Sequence, residues 1–222
     1  METDPLGVVE LRRYRLHPGR RDTLVELFER EFVESQEELG AVLPGMFRDD
    51  DDEDRFVWFR AFADMASRHR MLTTFYGGPT WAAHRDAANA TMIDSDDVLL
   101  LRPGALTPTS IRPPSTRDGG RDIVAVTVWE RGDRTEAEIA DWFDQRVRPG
   151  VERADGAVLA TLHTESSVND FPALPVTQDP PVFVGVVRVG DRPTYQSIID
   201  ADETARAGKT SYLSATVRSP WP

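Results

Sequence analysis

The sequence predicts an α+β protein built as two tandem ferredoxin-like halves, each β-α-β-β-α-β, packed sheet to sheet as an intramolecular α/β barrel. Three observations carry this expectation. Strand-like runs with period-two alternation and helix-period runs follow one another in that order, and the order then repeats. A Pro-, Ser-, Thr- and Gly-rich stretch, Leu106 to Gly120, separates the two repeats. Each half would also carry helices on one sheet face only, leaving an apolar face that the other half can cover.

The first half, 1–105, opens on a strand over Val8–Leu16 (VVELRRYRL) that Pro18-Gly19 ends. Leu24, Leu27, Phe28, Phe32 and Leu39 then recur at helical spacing, with Gly40 as the stop. Val42–Phe47 and Arg55–Phe62 read as strands, with the acidic run Asp49–Asp54 as the hairpin between them. A helical region broken at Gly77-Gly78-Pro79 follows, restarting with Thr80 as N-cap. Asp97–Leu101 forms the last strand, ended by Pro103-Gly104. Beyond the linker, 106–120, the second half occupies 121–222. Its strands are Ile123–Trp129, Ala157–Thr164, Val182–Val189 and Tyr212–Val217. Thr135 with Glu138 spells a capping box for a helix burying Ile139, Trp142, Phe143 and Val147. Pro193 opens a shorter helix carrying Tyr195, Ile198 and Ile199. The total is eight strands and four helical regions.

Composition narrows the function classes. Over 222 residues, 40% hydrophobic and 29% charged content is the balance of a soluble globular protein. A net charge of −12 opposes binding to nucleic acid, which needs a basic surface, and opposes docking on anionic lipid. The first twenty residues hold no apolar targeting core and no run reaches membrane-spanning length, so a cytoplasmic location is expected. Without cysteine there is no disulfide or thiolate chemistry. His17, His69, His84 and His163 share no ligand spacing, and the Asp49–Asp54 run lacks the glycine and distal glutamate of a calcium loop. No metal and no cofactor are therefore expected.

The densest chemistry lies in Phe56–Met92 (FVWFRAFADMASRHRMLTTFYGGPTWAAHRDAANATM). Alternation puts Phe56, Trp58, Arg60 and Phe62 on one strand face and Val57, Phe59 and Ala61 on the other; Glu10, Arg12 and Tyr14 likewise share a face. The simplest assignment sends the aliphatic residues toward the helices, so Glu10, Arg12, Tyr14, Trp58 and Arg60 point into the barrel interior. Charged groups there need partners, so Glu10 with Arg12 or Arg60 makes either a polar network around a cavity or a purely structural ion-pair cluster. On the restarted helix, Ala83, Ala87 and Ala90 form a small-residue stripe suited to packing on the sheet, beside a stripe of Trp81, His84, Arg85 and Ala88. Trp81 and His84 would line the rim, His84 as acid, base or donor. His69, on a stripe with Met65, Leu72 and Tyr76, reads as a core or capping residue.

These residues resemble a known family. Glu10-Leu11-Arg12-Arg13-Tyr14 with Leu16, Pro18 and Gly19 is similar to the start of NIPSNAP domains. So is the block from Val57-Trp58 through Arg68, Phe75-Tyr76, Gly78-Pro79, Trp81, His84-Arg85 and Met92 to Asp97-Val98-Leu99-Leu100-Leu101-Arg102-Pro103. The resemblance covers nearly all of the first half; the second half resembles the dimeric α/β-barrel superfamily by element order alone. It implies the ferredoxin-like barrel fold and no established activity. The wider superfamily holds cofactor-independent monooxygenases and haem-binding enzymes; a haem would need an axial histidine, and in the second half only His163 is available, sharing a face with Leu159 and Thr161.

Function at this level is a small, partly apolar ligand bound in the first-half barrel cavity by Glu10, Arg12, Tyr14, Trp58, Arg60, Tyr76, Trp81 and His84. The alternative is a cofactor-independent monooxygenase or isomerase acting on an aromatic or polyketide-like substrate, with His84 or Arg60 handling the proton or oxyanion. The repeat allows a monomeric pseudo-dimer and does not forbid a homodimer. A third reading leaves the barrel interior as core.

Overall fold

A computed structural model describes residues 6–106 and 122–222 of the protein. The first half runs β1 (Val8–Leu16), α1 (Arg21–Leu27), a π-helical turn (Phe28–Phe32), α2 (Val33–Glu37), β2 (Val42–Asp49), β3 (Arg55–Phe62), α3 (Met65–Tyr76), α4 (Pro79–Asn89), β4 (Met92–Asp94) and β5 (Val98–Leu106). The second runs β6 (Ile123–Glu130), α5 (Glu136–Arg146), α6 (Arg148–Arg153), β7 (Ala157–Thr164), β8 (Val182–Val189), α7 (Arg192–Asp200), α8 (Glu203–Arg206) and β9 (Lys209–Ala215). The expected linker lies, beyond Leu106, outside the described residues.

Within each half the strand order is that of a ferredoxin-like sheet, β5-β1-β3-β2 and β7-β8-β6-β9. The halves join at both edges. β2 pairs antiparallel with β9 from Phe47↔Ala215 to Asp49↔Leu213, and β5 pairs with β7 from Leu101↔Thr164 to Leu106↔Ala160. Eight strands thus close into one antiparallel barrel with no free edge, and short β4 hangs on β1. The predicted α+β tandem barrel is the observed fold.

Four strands, β1, β3, β7 and β8, fall where alternation places them. Others shift. β5 continues past Pro103-Gly104 to Leu106, because a register break between Pro103 and Ala105 absorbs the proline as a bulge. Gly104 allows that close approach: a Cβ there would stand 2.8 Å from His163 Nε2. β9 begins at Lys209 and stops before Val217, which is 74% exposed. The first expected helix of the first half is divided by the π-helical turn before Gly40, whose φ of +91° ends the segment. α4 starts at Pro79 with Gly78 as its N-cap, two residues before the expected N-cap Thr80, since the fixed φ and missing N–H of proline suit the first helical turn. The Thr135–Glu138 capping box forms as expected.

The assignment of faces is opposite to the one expected from sequence. Val57, Phe59, Ala61, Val9 and Leu11 point into the barrel lumen, where they meet Val124, Val126, Leu162, Val184, Val186 and Leu213 of the second half. Phe47 and Trp221 fill the remaining space. Tyr14, Phe56, Trp58 and Phe62 lie on the outer face, packed beneath the helices with Leu24, Phe28, Phe32, Leu72 and Phe75. The physical reason is room and partners. An eight-stranded lumen is narrow enough for side chains to fill, and here aliphatic and aromatic side chains from both halves fill it. The helix layer is deeper and supplies groups that satisfy buried charges. Among the described residues the barrel interior is therefore core, and the expected site residues Tyr14 and Trp58 face the helix layer instead. On α4 the expected packing stripe is also displaced: Ala83, Ala87 and Ala90 are exposed, and Trp81, His84 and Ala88 face the protein. His69 is exposed as well.

Candidate functional site

Glu10 on β1, fully buried, sits at the centre of a cluster between the sheet and α2–α3. Its Oε2 accepts from Arg12 Nη1 at 3.0 Å and from Arg60 Nη2 at 2.6 Å and Nε at 3.0 Å. Its Oε1 accepts from Arg68 Nε on α3 at 2.7 Å. The Cα register brings Glu10 opposite Arg60 on β3, which is why two residues fifty apart share one carboxylate. Arg60 Nη1 donates to Gln36 Oε1 of α2 at 2.9 Å, and Arg12 Nε to the Tyr14 hydroxyl at 3.0 Å. Burial alone would raise the Glu10 pKa, but the guanidiniums of Arg60, Arg12 and Arg68 outweigh it and hold the carboxyl well below the usual range. Burial likewise pushes the Tyr14 hydroxyl up, so that it remains a phenol.

Against this charged floor stands an aromatic recess. Tyr14, Trp58, Phe28, Phe32, Tyr76 and Trp81 form its walls, with Gln36, Phe75 and Met92 completing it around a cavity of about 30 Å³. Tyr76 and Trp81 meet edge to face at 4.9 Å, and Phe28 meets Trp58 at 4.7 Å. The π-helical turn matters here. Residues four apart drift around the axis of an ordinary α-helix, and the wider turn offsets that drift so that Phe28, Phe32 and Gln36 all reach the recess. The Arg12 guanidinium lies 5.4 Å from the Tyr14 ring centre and 5.6 Å from that of Trp58, and Arg60 lies 5.1 Å from Trp58. Trp58 Nε1 and Arg68 Nη2 are buried with no hydrogen-bond partner among the described residues.

A segment of the second half closes the outer side. In the β7–β8 connection, Asp170 Oδ1 accepts from Arg68 Nη1 at 2.8 Å and Asn169 Oδ1 from the same nitrogen at 3.1 Å. Phe171 stacks on Tyr76 at 6.0 Å with an interplanar angle of 27°. His69 Nδ1 lies 2.8 Å from the Asp170 carbonyl oxygen. Thr177 anchors the strap to β5, donating to the Val98 carbonyl at 2.7 Å.

Of the eight residues expected at a site, Tyr14, Trp58, Tyr76 and Trp81 line the recess, and Glu10, Arg12 and Arg60 form the cluster beside it. His84 stands apart on the rim, 32% exposed, its ring against Phe32 and its Nε2 3.3 Å from Glu31 Oε2. Sequence reasoning did not assign Arg68, Phe28, Phe32 or Gln36 to the site. A helical stripe pointing at a strand face with an arginine surplus was the available signal. For Asp170 and Phe171 no local signal existed.

His163 lies outside the lumen, its ring 5.1 Å from Phe183, and burial lowers its pKa. Thr161 shares its side, whereas Leu159 turns into the lumen because the register breaks between Val158 and Ala160. Grooves of about 420 and 230 Å³ run along the second half beside Arg131, Glu136 and His163, larger than the aromatic recess but more open. Neither has a wall of aromatic rings in mutual contact, and Glu136 is held by Arg102 and Arg131. Among the described residues no group of three or more metal-ligating side chains is placed to hold an ion.

A family model for NIPSNAP matches residues 9–108. No curated protein matches the chain. Among solved structures, a candidate monooxygenase from Lactobacillus acidophilus NCFM is 12% identical with a TM-score of 0.61, over 95% of this chain and 94% of its own. A candidate monooxygenase from Fusobacterium nucleatum is 8% identical with a TM-score of 0.60, over 95% of this chain and 92% of its own. At these identities the likeness is one of fold. An uncharacterised NIPSNAP domain protein from Burkholderia xenovorans is 22% identical over 46% of this chain and 98% of its own, with a TM-score of 0.41. The NIPSNAP match thus covers most of the first half of this chain and stops short of the second half, which closes the barrel.

Proposed function

We propose that the protein binds a small, partly apolar ligand in the aromatic recess between the helices and the outer face of the first half's sheet. One observation carries this reading: a wall of aromatic rings in edge-to-face and tilted contact abuts a fully buried cluster of charges, with the Trp58 indole N–H and one Arg68 nitrogen left unpartnered among the described residues. A surplus of buried polar capacity in an otherwise apolar core costs stability unless something uses it. The cavity has room for little more than water as it stands, so ligand entry moves Tyr76, Trp81 or the strap. The site is single, because the Gly-Pro-Trp-His block has no counterpart in the second half. Titration of the intact protein with small aromatic and acyl compounds, followed by tryptophan fluorescence and thermal melting, tests the reading. A ligand at a hundred times its Kd raises stability by about 2.7 kcal/mol. Trp81→Ala weakens binding about tenfold while leaving the buried Glu10 cluster in place. Equal binding by wild type and Trp81→Ala across the screen would overturn this site.

We read the protein as cytoplasmic and as a monomeric pseudo-dimer. No described helix is long and apolar enough to cross a membrane, and one chain supplies all eight barrel strands. A second reading, a cofactor-independent monooxygenase or isomerase, draws on the His84–Glu31 pair at the recess edge, since a carboxylate-oriented imidazole is the usual device for taking a proton. Oxygen uptake or product formation lost in His84→Ala, with binding retained, would support it; unchanged turnover would remove His84 from any chemistry.

A further inference from the structure

The charges around Glu10 do not balance. Arg12, Arg60 and Arg68 are all buried, and among the described residues the carboxylates in ion-pair contact with them are Glu10 and Asp170. One positive charge is left over, and the spare Arg68 nitrogen adds a donor with nothing to bind. Of the two carboxylates, only Asp170 comes from a surface segment, and its side chain is 31% exposed. It is also held by fewer partners than Glu10, which four guanidinium nitrogens grip.

The strap places two consecutive side chains on this site. Asp170 presents a carboxylate to Arg68, and Phe171 lays a phenyl ring flat on Tyr76. Tyr76 belongs both to that stack and to the recess wall. A carboxylate and an aromatic ring held side by side against an arginine and a tyrosine outline the groups of a small organic acid. Lifting the strap without replacing Asp170 would leave three buried guanidiniums to share the single Glu10 carboxylate, which is costly. A neutral ligand brings no such replacement; an anionic one does.

Building on the ligand-binding reading above, we propose that the recess takes a small organic carboxylate with an aromatic or short acyl body, whose carboxylate docks on Arg68 in exchange for Asp170. The apolar body then lies against Tyr76 and Trp81, where Phe171 now covers the rim. Arg68 is a binding residue in this scheme, and Asp170 is an internal competitor that keeps it paired when the site is unliganded. Discrimination follows from the same charges, because a site built around a charged partner rejects the isostere that lacks it.

Calorimetric titration of the full chain with a panel of carboxylates of six to twelve carbons, 3-phenylpropanoate among them, each paired with its amide, tests this. Acids should bind at least tenfold more tightly than their amides. Asp170→Asn, a change on the half-exposed strap that leaves the core intact, should tighten the acids about tenfold more and leave the amides unchanged. If amides bind as well as acids, or if Asp170→Asn changes both alike, the carboxylate assignment is wrong and the ligand-binding reading stands. If no member of the panel binds either wild type or Asp170→Asn, both are wrong.

Discussion

Glu10→Gln should destabilise the protein by about 3–5 kcal/mol, the cost of breaking a buried ion pair by removing one partner. The substitution keeps the size of the side chain and removes the charge that three buried guanidiniums share. Glutamine can accept from one or two of them but neutralises none. The effect should depend on pH in a definite direction. The folded Glu10 carboxyl lies below its ordinary value of 4.5, so its contribution is fully present above that value and fades as pH falls below it. The gap in unfolding free energy between wild type and Glu10→Gln, taken from urea titrations, should therefore be constant from pH 7 to about pH 5 and shrink below. A gap that stays constant down to pH 3, or a loss under 1 kcal/mol at pH 7, would show that the guanidiniums are satisfied without this carboxylate.

Trp221→Ala should cost a similar amount, about 3–5 kcal/mol, for a different reason. Trp221 is 1% exposed and sits in the barrel lumen, 5.0 Å from the ring of Phe59 and 6.5 Å from that of Phe47. Its amide donates to the Pro44 carbonyl at 2.9 Å, which fixes the chain end across the barrel. Removing the indole leaves a void beside the Phe47 and Phe59 rings, and side chains anchored on paired strands cannot collapse into it. Val217→Ala, four residues earlier and 74% exposed, should change stability by no more than about 0.5 kcal/mol. Chemical denaturation of the two variants side by side reads the contrast directly. Equal, small losses would mean that Trp221 is not part of the core.

Much of the fold was legible because its signals are local. The alternation in VVELRRYRL, RFVWFRAF and VFVGVVRV marks strands with correct ends, and the Thr135–Glu138 pair marks a helix start. β4, with three residues, and α8, with four, are too short to show a period. The continuation of β5 beyond Pro103-Gly104 depends on its neighbour, since β7 offers the pairing that carries the strand through its bulge. The recess was half legible. Tyr14, Trp58, Tyr76 and Trp81 were expected together and are found together, whereas the partnership of Arg68 with Asp170 spans 102 residues and two halves of the chain.

The sequence by itself determined the strand and helix order, its repetition, the resemblance of the first half to NIPSNAP domains, and the set of side chains that share a face. Which face lies inside was decided only by the tertiary structure. A period of two is unchanged when every side chain is turned over, so alternation groups Glu10, Arg12, Trp58 and Arg60 without saying where they point. What breaks the symmetry is the surroundings: the narrow lumen accepts Val, Leu and Phe from all sides, and only the helix layer brings Gln36 and Arg68 to the charges. The strap likewise exists as a site element only once the barrel has closed and laid the second half's long connection over α3.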